Sequence, residues 1–184
     1  MCIERQVIEY CSPTLARLKT GSLFNCRYDS ENEIAAAVCE LNMRLNKKDV
    51  YFTILRKEKG RALIYVYRKS RLDEALKESE ACKLLKSCGY CFTESSEAIE
   101  MLSKQLTNKA DFPHEIGVFL GYPICDVIEF IRNKGQNAKL TGCWKVYGNV
   151  ADARLRFSRF KKCTDTYIRL WEMGRGIEKL TVGI

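Results

Sequence analysis

Two runs of β-branched and aromatic residues, VYFTILRK (50–57) and RALIYVYR (61–68), are separated only by Glu58, Lys59 and Gly60. Such runs joined by a short connection that contains glycine predict an antiparallel hairpin. A third alternating run, SLFNCRY (22–28), predicts another strand. Most other apolar positions recur at helical spacing. Strands and helices do not alternate regularly, so the expected class is α+β: a small, mainly antiparallel sheet flanked by helices, with a helical C-terminal half.

Local signals place the remaining elements. Residues 3–10 predict a short helix, and Ser12 with Pro13 predicts the cap and first residue of a second one ending at Gly21. Cys11 would then stand just ahead of a helix N-terminus. Ser30 and Glu33 form a capping-box pattern before Ile34, Val38, Leu41 and Leu45, which share one helical face. Ser70 with Asp73 predicts the start of a helical stretch, with a break, that stops at Gly89. Another helix is expected from Ser96, with Ala98, Met101, Leu102 and Leu106 inward. Asp111 and Pro113 predict a short helix ending at Gly121. Pro123 predicts the next, with Ile124, Val127, Ile128 and Ile131 inward, and Gly117 and Gly121 read as close-packing positions. TGCWKVYG (141–148) predicts one strand. The last helix, about 151–172, carries a stripe of Ala153, Phe157, Phe160, Thr164, Tyr167 and Trp171, expected to face the core. No long linker interrupts the chain, so residues 1–184 are expected to form one domain, with 90–95 as the weakest candidate boundary.

A chain of 184 residues that is 46% hydrophobic can build its core without disulfides or metal. The ten cysteines are scattered and read as reduced thiols. The N-terminus alternates charged and apolar residues, unlike a signal peptide, which points to the cytoplasm. The weakly polar run 116–125 is about half the length of a membrane span, so no membrane association is expected. The net charge of +8 has one source. Between Arg132 and Lys162 nine basic residues face a single acid, Asp152, whereas the rest of the chain balances at 22 against 22.

Three stretches taken together resemble one known family: SPTLARLKTGSLF (12–24), FPHEIGVFLGYP (112–123), and WKVY (144–147) with FKKC (160–163). They are similar to the bacterial family termed domain of unknown function 3793. The resemblance covers nearly the whole chain, and implies an intracellular bacterial protein without implying a mechanism. Tyr10 stands where that family commonly has a histidine, Cys143 where it has a tyrosine, and Cys125 where it has an acid.

Three sets of residues are candidates for function. Polar and aromatic side chains on short capped elements, namely His114, Glu115, Tyr122, Trp144, Lys145 and Tyr147, suggest a ligand site in a non-enzymatic binding or regulatory protein, whose partner is a small molecule or a protein. Cys11 with His114, and with Cys163 on the last helix, would suit a thiol-dependent enzyme or a metal or redox protein. Lys139, Lys145, Arg154, Lys161 and Lys162 would suit weak polyanion binding. Cys88 and Cys91 form a CxxC, but Cys88 is expected at a helix C-terminus, where the dipole disfavours a thiolate. No phosphate-binding loop, dinucleotide fingerprint, HExxH or GxSxG occurs. No cofactor is indicated and no metal site is expected.

Overall fold

In the computed structural model, residues 3–108 and 112–183 are described. Three antiparallel strands form the main sheet: β1 (Gly21–Arg27), β2 (Val50–Glu58) and β3 (Arg61–Arg68), in the order β1-β3-β2. The expected hairpin is β2–β3, closed through Lys59 and Gly60, both at positive φ (48° and 71°), the handedness that suits a two-residue hairpin turn. A bulge at Leu55 shifts the register between Ile54 and Arg56.

Both faces of β3 are covered. Ala62, Ile64 and Val66 face a core that contains α1 (Ile3–Leu15), α2 (Glu31–Leu45) and the short α9 (Ile177–Leu180). Leu63, Tyr65 and Tyr67 face a second core on the opposite side, built with α3 (Lys69–Lys77), α4 (Ser79–Ser87), α5 (Ser95–Asn108) and α6 (Ile116–Phe119). That two-sided burial is the reason the strand reads as a continuous apolar run. All four expected α2 positions, Ile34, Val38, Leu41 and Leu45, are buried. Ser30 makes no side-chain capping bond there. The break expected before Cys88 falls at Glu78, between α3 and α4. Ser70 lies inside α3 and caps nothing; its backbone N–H and hydroxyl instead donate to the buried carboxylate of Asp49.

The N-terminal segment departs most from expectation. One helix, α1, runs through Pro13 where two were expected. Proline removes the N–H that would bond to the Glu9 carbonyl, and the Ser12 hydroxyl donates to the Ile8 carbonyl beside that gap. The helix ends on a Schellman pair, Arg17 N–H to Thr14 O (3.1 Å) and Leu18 N–H to Pro13 O (2.8 Å), with Arg17 left-handed at φ 59°. Gly21 opens β1 and stops no helix. A Cβ there would lie 2.5 Å from the Tyr65 ring and 2.8 Å from the Phe119 carbonyl.

The C-terminal half holds α7 (Ile124–Arg132), a small hairpin of β4 (Leu140–Thr141) and β5 (Lys145–Val146), and the long α8 (Val150–Glu172). The run 141–148 is thus a hairpin with a tight turn where a single strand was expected. The reason is local: Gly142 N–H bonds to Trp144 O across the turn. Asp111, expected to start the helix before Gly121, lies outside the described residues. On α8 the aromatic stripe is half-buried, with only Ala153 fully covered. Phe157 and Phe160 pack on the small hairpin, while Tyr167 and Trp171 pack on the α1 core. Among the described residues no helix is long and apolar enough to cross a membrane.

Candidate functional site

Pro123 caps α7, and Gly117 lets α6 close on it: a Cβ at Gly117 would come within 2.7 Å of Val127. Gly121, at φ 71°, turns the chain between the two helices against Thr20. The small hairpin then packs against α7, and Asp126 fastens it there. Its carboxylate, buried, accepts from the Trp144 indole N–H (2.7 Å) and from the backbone N–H groups of Tyr147 (2.8 Å) and Gly148 (2.7 Å). Gly142 gives α8 room, because a Cβ there would collide with the Phe157 ring.

Between α6, α7 and the hairpin lies a cavity of about 510 Å3. Leu23, Leu120 and Val127 give it aliphatic walls. Tyr122 and Trp144, stacked at 5.2 Å, and Phe130 give it aromatic ones. His114 and Phe112 stand at the exposed rim, the imidazole edge-on to Phe130 at 4.9 Å. Lys145 lines it as well. Its ammonium donates to the Gly135 carbonyl (2.6 Å) and lies 5.8 Å from the Phe130 ring centre.

Of the ligand-site candidates, His114, Tyr122, Trp144 and Lys145 line this one cavity. Glu115 and Tyr147 do not. Glu115 is buried and accepts from the Tyr90 hydroxyl (3.3 Å), and Tyr147 donates its hydroxyl to Gln136 O (2.9 Å) behind the hairpin. Burial, with the Glu115 carboxylate next in weight, pushes the Tyr90 phenol far above its ordinary range. Burial likewise pushes Tyr122 up to about 12, so it stays protonated; its hydroxyl donates to Cys143 O (3.2 Å). On the outer side of Tyr122 the Lys19 ammonium sits 5.3 Å from the ring centre. Desolvation pulls that lysine below its ordinary value.

Asp126 was not among the sequence candidates. It lies opposite the expected inward stripe of α7, where a carboxylate reads as solvated, and its donors come from the hairpin, distant in sequence. Phe130 escaped notice for the same reason.

Cys11 is not ahead of a helix N-terminus. It lies inside α1, buried in the core, and burial pushes its thiol up to about 12, the reverse of the expected activation. Cys163, half-buried on α8, is pushed up to about 11 by the same cause. Neither lines the cavity that His114 lines. Cys88 lies just past the C-terminus of α4 and is half-buried, whereas Cys91 is exposed. Among the described residues no group of three or more His, Cys, Asp or Glu is arranged to hold a metal.

The basic segment divides. Lys139, Arg154, Lys161 and Lys162 are exposed, with Lys161 paired to Asp165 at 2.9 Å, whereas Lys145 turns to the cavity. Arg159, Lys162 and Arg169 follow one another along the outward ridge of α8.

No curated protein and no solved structure matches the sequence. A family described as "Protein of unknown function (DUF3793)" matches residues 7–181, which include α6, α7, the small hairpin and most of α1. With nearly its whole length covered, the cavity included, the chain belongs to the DUF3793 family.

Proposed function

We propose that this is a cytoplasmic, non-enzymatic binding protein that takes up a small, largely apolar molecule in the cavity between α6, α7 and the small hairpin. The observation that carries the reading is the cavity itself: about 510 Å3, inside the roughly 300–1,000 Å3 range of small-molecule sites, with aromatic walls and a few polar groups. Its polar groups do not form a catalytic set. The Asp126 carboxylate is committed to three donors within the protein, and among the described residues no cysteine or serine lines the cavity beside His114. The cytoplasmic setting is supported by Cys39, Cys91, Cys125 and Cys143, exposed thiols that an oxidising compartment would not leave free.

The test uses the neutral fluorophore N-phenyl-1-naphthylamine. Its emission should rise on mixing with the protein and stay low with Thr141→Trp, which places an indole at the cavity mouth. An unchanged spectrum with the unmodified protein removes the reading.

A further inference from the structure

We infer that the cavity selects molecules carrying an anionic head, such as a carboxylate, on a flat apolar body; the inference rests on the cavity being a ligand site. It follows from which polar groups remain uncommitted. The strongest acceptor at the wall, Asp126, already accepts three hydrogen bonds, from Trp144, Tyr147 and Gly148. The donors of Trp144 and Tyr122 are likewise taken, by Asp126 and by the Cys143 carbonyl. Lys145 is different. An ammonium has three donors, and among the described residues only Gly135 O engages it. No carboxylate pairs with it there: the ion pairs among the described residues do not include Lys145. Thr141 adds a hydroxyl and His114 an imidazole, neither hydrogen-bonded within the described residues. An unbalanced cation beside aromatic walls attracts a negative group, and the walls take a planar ring or chain. A cationic head would meet Lys145, and among the described residues the one carboxylate lining the cavity, Asp126, is already engaged by donors of the hairpin.

Three probes of one shape separate the possibilities: 2-naphthoic acid, 2-naphthamide and 2-naphthylmethylamine, each measured by displacement of N-phenyl-1-naphthylamine. The acid should bind about tenfold more tightly than the amide, the size of one charge-assisted hydrogen bond, and the amine more weakly than both. Lys145→Met, which keeps the stem on Phe130, should reduce the acid to the level of the amide, and Lys145→Arg should retain most of the preference. If Lys145→Met does not fold, Thr141→Val at the exposed strand position serves instead, with a loss of about threefold for the acid alone. Equal affinities, or the amine preferred, while the neutral fluorophore still binds would overturn the anionic class and leave the cavity reading in place. Failure of the fluorophore to bind the unmodified protein would remove both.

Discussion

The Trp144 indole N–H points at the Asp126 carboxylate, 2.7 Å away, and this bond ties the small hairpin to α7. Because Asp126 also holds the N–H groups of Tyr147 and Gly148, one side chain on a helix sets the position of a whole cavity wall. Asp126→Ala leaves those donors without their acceptor in a buried place. The expected cost is about 3 kcal/mol, at 1–3 kcal/mol for each unsatisfied buried group with partial relief from water. Urea denaturation would measure it, and a red shift of the tryptophan emission should accompany it. A midpoint unchanged from the unmodified protein would show that the hairpin is held by other contacts.

Arg68 is the counterpart on the other side of the sheet. Its guanidinium is fully buried and donates to the carbonyls of Thr14 (2.8 Å), Leu15 and Lys48 (2.6 Å), so it closes the end of α1 and the turn before β2 together. Burial lowers its pKa to about 10, which leaves it charged at neutral pH. Arg68→Met should lower stability by about 3 kcal/mol, because several buried carbonyls lose their donor at once. Thermal unfolding of the pair of proteins checks this.

The cysteines should divide by burial. Cys39, Cys91 and Cys125 are expected to react quickly with a disulfide reagent at pH 8, Cys143 more slowly because burial raises its thiol pKa, and Cys11 and Cys26 only after denaturant is added. The same burial makes a pH dependence. Folding raises the Cys11 pKa from 9.0 to about 12, so its contribution to stability is complete below pH 9 and is lost as pH rises toward 12. Cys11→Ala should therefore flatten the alkaline limb of the stability curve, even though it lowers stability at neutral pH.

At the acidic limb a surface network matters instead. Arg44 on α2 reaches Glu4 on α1 and Glu178 on α9, and holds the Glu178 carboxyl below its usual range. A depressed carboxyl contributes stability above its unfolded value of 4.5 and loses it as pH falls through the folded one. Arg44→Met should reduce the acid sensitivity of unfolding between about pH 5 and pH 3. The pairs are partly exposed, so the effect is small and should shrink in high salt.

Gly142→Ala tests how the hairpin meets α8. The added methyl collides with the Phe157 ring, which must swing away from its edge contact with Trp144 at 4.5 Å. A loss of about 1–3 kcal/mol is expected in the same denaturation assay.

The hairpin Val50–Arg68 was legible from the chain alone, since the run of β-branched and aromatic residues and the Lys59-Gly60 turn are local signals. The same holds for the buried face of α2 and for the family resemblance carried by FPHEIGVFLGYP. The path of α1 through Pro13 was not legible. Arg17 supplies the left-handed end that glycine usually marks, and the capping donor, Arg68, comes from a strand 54 residues beyond Thr14. Asp126 was hidden in the same manner, on the face of α7 that looks solvated until a hairpin about twenty residues away folds over it. Local patterns thus determined which segments are strands and helices and which residues are apolar. Tertiary structure decided which polar groups are buried, which thiols are shielded, and that His114, Tyr122, Trp144 and Lys145 share one cavity, because burial and hydrogen-bond pairing depend on segments that the chain brings together only when it folds.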